Sequence, residues 1–175
     1  MPFADFVKAT VVLCAAAATT LAAITLLSAR GAGEPGTATV AIIWWALACL
    51  IGLAMGRRAA ASPPITRLLG GAKVVGVLPP QRPGRILLAR LWPLLLSTLV
   101  AGALALLWPQ IPAIATGFAL IWALAWRQQN GAVIAIERRD GVRFYVEETS
   151  PLRPITLTRT PGFKAYLPTE ERSPA

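Results

Sequence analysis

Apolar positions along this chain come in long unbroken runs, not in the alternating or helical stripes of a domain that faces water on one side. Twenty-one uncharged residues separate Lys8 from Arg30, and 22 separate Glu34 from Arg57. At about 1.5 Å per residue, either run is long enough to cross a hydrocarbon core of about 30 Å as a helix. A third run, 36 uncharged residues between Arg90 and Arg127, is too long for one crossing. Its middle reads Trp108-Pro109-Gln110-Ile111-Pro112. Two prolines three apart break helical hydrogen bonding, so a turn is expected there, with Pro112 in the first turn of the returning helix. The pattern predicts a membrane α-helical protein, a four-transmembrane-helix bundle made of two helical hairpins. Its spans fall at about 9–29, 36–56, 88–108 and 112–127.

The remaining segments divide the chain into a first hairpin over 1–56, a basic Pro/Gly-rich loop over 57–85, a second hairpin over 86–129, a β-rich tail over 130–167 and a disordered terminus over 168–175. The loop is punctuated by Ser62-Pro63-Pro64, Gly70-Gly71 and Pro79-Pro80, and little regular structure is expected of it. Ile65, Leu68, Leu69 and Ala72 follow helical spacing, enough for one amphipathic turn at a membrane surface. In the tail, 132–139 is rich in β-branched residues, Asp140-Gly141 is a hairpin signal, and 142–147 and 155–159 return as strands. The expectation is a small cytoplasmic antiparallel β-meander at the C-terminus. So few large apolar side chains make a marginal core, and the meander needs support from the loop, the membrane surface or another chain.

Charge fixes the orientation. With four spans, sixteen of the seventeen lysines and arginines lie on the side of the N-terminus, loop and tail, and Arg30 alone lies on the other. The positive-inside rule makes the first side cytoplasmic and accounts for most of the net charge of +9 without nucleic acid. Arginine far outnumbers lysine beside abundant Ala, Gly and Pro, which suggests a GC-rich bacterial genome. The expected location is therefore the bacterial cytoplasmic membrane, multi-pass, with both termini inside. A signal peptide is the alternative for the first run, but the run is longer than an ordinary signal core. Trp92 and Trp126 fall near the inner interface and Trp108 near the outer one, where aromatic anchors belong. Arg57, Arg58, Arg67, Lys73, Arg82 and Arg85 are candidate contacts for anionic lipid headgroups, or simply topology-setting charge.

Composition supports this picture: 55% of residues are hydrophobic, 14% are charged, and mean hydropathy is +0.59. It also narrows the chemistry. No histidine occurs, which excludes imidazole acid–base catalysis and imidazole metal sites. The uncharged runs contain no ionisable group of the kind that proton relays and ion pathways use. Thr19, Thr20, Thr25, Ser97, Thr98 and Thr116 are expected to hydrogen-bond backbone within the bundle. Cys14 and Cys49 sit at similar depth in the first two spans and read as packing residues. Glu137, Asp140, Glu147 and Glu148 read as solvated ion-pair partners of the tail arginines. Ala48, Gly52 and Gly56 form a small-residue ladder with a GxxxG step, continued by Ala113 and Gly117 on the last span. No catalytic residue, cofactor or metal is expected. The sequence points to a non-catalytic accessory or assembly subunit that docks a membrane or cytoplasmic protein through its loop and tail. Self-association is the other use of the ladder. A small transporter or pore lined by Ser, Thr and backbone carbonyls is the alternative function.

Overall fold

The computed structural model describes residues 1–31, 35–56, 63–74, 82–108, 110–147 and 155–161. Their order is α1 (Phe3–Gly31), α2 (Pro35–Gly56), α3 (Pro63–Gly70), β1 (Lys73–Val74), α4 (Pro83–Leu104), α5 (Gln110–Asp140), β2 (Val142–Val146) and β3 (Leu157–Pro161). Pro35, Pro63 and Pro83 each open a helix, where the missing N–H removes no intrahelical bond. The expected break between the last two long helices falls where the sequence puts it, with α4 ending at Leu104 and α5 starting at Gln110.

Three helices, Phe3–Gly31, Gly36–Gly56 and Pro83–Leu104, are long and apolar enough to cross a membrane. The fourth long helix, α5, is apolar only as far as Trp126 and then continues as a polar helix to Asp140. Contacts between helices give their directions. On α2 and α5, Trp45 meets Ala113, Gly52 meets Ile121 and Leu124, and Gly56 meets Gln128, so these helices run parallel. At the other end of the chain, Pro2 bridges Tyr145 just beyond the end of α5, which sets α1 antiparallel to it. Ile86 shares a core with Phe3, while Gly102 faces Ile24, so α4 runs alongside α1. The most extensive helix contacts are those of α5 with α1 and with α2.

At one end the helices support a small α/β head. With 29 and 31 residues, α1 and α5 reach about 43 and 46 Å, well beyond a bilayer core of about 30 Å. Their surplus length forms part of the head. Phe3, Phe6 and Val7 of α1, Ile86 of α4, Val133 of α5 and Leu69 of α3 pack with Phe144, Val146 and Leu157 of the sheet into one hydrophobic core.

Three expectations about this end need correction. Residues 132–139 are helix, not strand: α5 carries on through them, placing Val133 in the core and Ile136 against it. Extending an existing helix avoids a new nucleation step, and each β-branched residue costs only about 0.7 kcal/mol or less in helix propensity. Asp140-Gly141 is therefore a helix stop and not a hairpin turn; Gly141 adopts φ 61°, the left-handed conformation that ends many helices. Finally, the sheet is not a meander. β2 and β3 pair antiparallel, and the third strand is β1 from the central loop, parallel to β3, giving the order β1-β3-β2. The loop thus contributes a helix and a strand, with Leu69 of α3 buried and Leu68 and Ala72 packed against the core.

Candidate functional site

Two features of the bundle and its head could carry function: a basic surface on the head, and a groove along the helices below it. The head surface comes from two parts of the chain, the loop and the tail. Arg67, Lys73, Arg82 and Arg85 of the loop are exposed, as are Arg138, Arg139, Arg143 and Arg159 of the tail. Exposed acids are sparse among the described residues. Asp5 lies 3.8 Å from Lys8, and Asp140 accepts a bond from Arg139 Nε at 2.8 Å, which holds the Asp140 carboxyl below its ordinary range. Arg57 and Arg58, two further candidate lipid contacts, lie outside the described residues.

Glu137 is used structurally. Its Oε1 accepts the N–H of Phe144 at 3.1 Å, and two residues on, the N–H of Val146 donates to the carbonyl of Met1 at 2.9 Å. The outer edge of β2 is thereby covered by a carboxylate from α5 and by backbone leading into α1, which protects it from pairing with another chain. Burial pushes the Glu137 pKa above its ordinary value, against the opposing pull of the Phe144 N–H and Arg143 and with a small upward contribution from Asp5.

The small-residue ladder faces α5. Ala48, Gly52 and Gly56 are buried. A Cβ on Gly52 would lie 2.9 Å from Leu124 Cβ and 3.2 Å from Ile121 backbone; one on Gly56 would meet the Gln128 side chain. On the α5 side, Ala113 and Gly117 are buried, and the Trp44 indole occupies the space beside Gly117. Trp45 Nε1 donates to Ala113 O at 2.9 Å and Trp44 Nε1 to Ile114 O at 3.4 Å, using the second lone pair that helix carbonyls retain. The hydroxyls of Thr10, Thr19, Thr20, Thr25, Thr98 and Thr116 each donate to the carbonyl four residues back, and Ser97 donates three back, to Leu94 O. Cys14 and Cys49 are free thiols.

The groove lies between α4 and α5, with α1 as its floor. It has a volume of about 630 Å³ and is lined by Phe6, Thr10 and Cys14 of α1, by Arg90, Leu91, Pro93, Leu94 and Ser97 of α4, by Trp122 and Trp126 of α5, and by Ile155. A second hollow of about 300 Å³ continues it, sharing Leu94, Ser97 and Trp122 and reaching Leu21, Thr98 and Phe118. Trp122 and Trp126, four apart on α5, stack with ring centroids 6.3 Å apart. Of the expected interfacial anchors, Trp92 and Trp108 are exposed, while Trp126 packs against the head core and lines this groove. In the sequence Arg90 bounds an apolar run and counts toward the charge asymmetry; the structure places it on α4, lining the groove. No local sequence signal marks it, because the groove is made by the spacing of three helices.

Among the described residues no group of three or more Cys, Asp or Glu is placed to hold a metal. Long apolar helices joined to a small basic α/β head define the class, a helical membrane protein. Compared with protein-family models, curated proteins and solved structures, the chain matches none.

Proposed function

We propose that this protein is a non-catalytic subunit of the bacterial cytoplasmic membrane with four spans, both termini inside, and a basic cytoplasmic head that docks an acidic protein partner. Support for the fourth span comes from α5 lying antiparallel to α1 and parallel to α2 along the length of the bundle. A helix so placed crosses whatever its neighbours cross, and Gln110 to Arg127 covers about 27 Å.

One observation carries the docking role: the exposed cations of the loop and of the tail are gathered on one folded head, where, among the described residues, the two exposed acids are already engaged by Lys8 and Arg139. A rigid surface of one sign selects partners by complementary charge and speeds their encounter. The Ser and Thr hydroxyls, each donating within its own helix, offer less to a solute pathway than this surface offers to a partner. The test is purification of the tagged full chain from native membranes in mild detergent, beside a variant carrying Arg67→Glu, Arg143→Glu and Arg159→Glu. The expected result is a stoichiometric co-purifying chain that is lost in the variant while thermal stability is kept. A partner retained in full by the charge-reversed head, or none in either preparation, would overturn the proposal.

A further inference from the structure

The groove between α4 and α5 has the shape and polarity of a lipid site. Its lining among the described residues is apolar or aromatic along most of its length, with Arg90 at the end next to the head. Among the described residues the lining includes no carboxylate. From Phe6 to Leu21 the two connected hollows extend about 22 Å along α1, longer than one leaflet of a bilayer core of about 30 Å. Both volumes lie within the span of about 300–1,000 Å³ usual for sites that bury a small molecule. Water gains little in such a groove, since it has few polar partners there, and an unfilled groove forfeits dispersion contacts. The flanking residues Trp92, Leu95, Leu96, Phe118 and Trp122 are exposed apolar side chains, as expected of a groove that opens sideways toward hydrocarbon.

We propose that this groove holds one anionic phospholipid from the leaflet beside the head, its phosphate at Arg90 and one acyl chain laid along Trp126, Trp122, Leu94 and Ser97. A guanidinium offers five N–H donors in a planar fork that matches phosphate oxygens. The anion is what the charge selects, and Pro93 keeps α4 from closing over the chain: its ring lacks the N–H that would bond Ala89 O, so the helix is locally weakened beside the groove. A diacylglycerol, which has no phosphate, would fill the hollow without engaging Arg90.

The site depends on the embedding of all four helices, which vesicle-side labelling reads independently. The experiment is native mass spectrometry of the full chain, exchanged in detergent against phosphatidylglycerol or diacylglycerol. Wild type is expected to retain one phosphatidylglycerol per chain and about tenfold less diacylglycerol, the scale of losing a hydrogen bond to a charged group. Arg90→Gln is expected to erase that preference, and Arg30→Gln, at the far end of α1, to leave it intact. Ser97→Phe, which fills the hollow and leaves Arg90 in place, is expected to lose both lipids and gives a second reading if Arg90→Gln does not fold. Equal retention of the two lipids by wild type, or an unchanged preference in a folded Arg90→Gln or Ser97→Phe protein, would overturn the proposal.

Discussion

Glu137 shows how much a single side chain carries at the head. It is the partner of the Phe144 N–H, so Glu137→Ala strands a partly buried donor, at a cost of about 1–3 kcal/mol. Glu137→Gln keeps an acceptor oxygen and removes the charge that burial disfavours. The sign follows from the raised pKa: the folded state binds the proton more tightly than the unfolded one does. That stabilisation is complete below the ordinary value of 4.5 and is lost as pH rises through the higher folded value. Thermal unfolding in detergent is therefore expected to show the wild type losing stability over that rise relative to Glu137→Gln, with Glu137→Ala the least stable at every pH. A wild type that gains on Glu137→Gln as pH rises would show the carboxylate to be favoured by its site. The ladder gives a second contrast. Gly52→Ala puts a methyl against Leu124 Cβ and Ile121 backbone, which have little room to yield, whereas Gly56→Ala meets only the flexible Gln128. Overpacking of the first kind costs about 1–3 kcal/mol. A clear drop in melting temperature is expected for Gly52→Ala and a small one for Gly56→Ala.

At the scale of elements, the instructive case is the polar end of α5. Residues 132–139 have strand composition, and a reading by local propensity makes them a strand. Their outcome is set by what precedes them, a helix already formed, and by a core that takes Val133 and Ile136 at a spacing of three. The same Asp140-Gly141 that signals a hairpin serves equally as a helix stop, because both need a residue at positive φ. Gly141→Ala is expected to cost about 1–2 kcal/mol, the left-handed penalty for an L-residue, and Gly141→Asn less. Had 132–139 been a strand, replacing Val133 by Pro would be mild; in α5 it is expected to unfold the head, seen as loss of protection of the Phe144 and Val146 amides in hydrogen exchange. The central loop was opaque for a related reason. A two-residue strand has no periodicity to read, and β1 exists only because β3, some 85 residues further along the chain, supplies its partner. Leu69→Ala, expected to cost about 2–5 kcal/mol, tests whether α3 belongs to the core as fully as its burial implies.

For the whole molecule, long uncharged runs and the position of Trp108-Pro112 made the helices legible without coordinates, because bilayer thickness imposes a length that composition reveals. The head was legible only in part: β2 and the position of β3 could be read, but not their joining with the start of α1 and the end of α5 into one core. The groove was not legible at all, since it arises from the spacing of three helices and not from any one of them. What unites these levels is an arrangement in which α1 and α4 leave the head, α2 and α5 return to it, and the described cations of the loop and tail gather at that end.

Cysteine accessibility tests this most directly. In a chain with Cys14→Ala and Cys49→Ala, single cysteines at exposed Gln110, Lys73 and Arg139 are labelled with a membrane-impermeant maleimide in right-side-out and in inverted vesicles. Gln110→Cys is expected to react only in right-side-out vesicles, and Lys73→Cys and Arg139→Cys only in inverted ones. Gln110→Cys and Arg139→Cys reacting from the same side would mean that α5 does not cross, and would contradict the four-span arrangement on which the shared head and its groove depend.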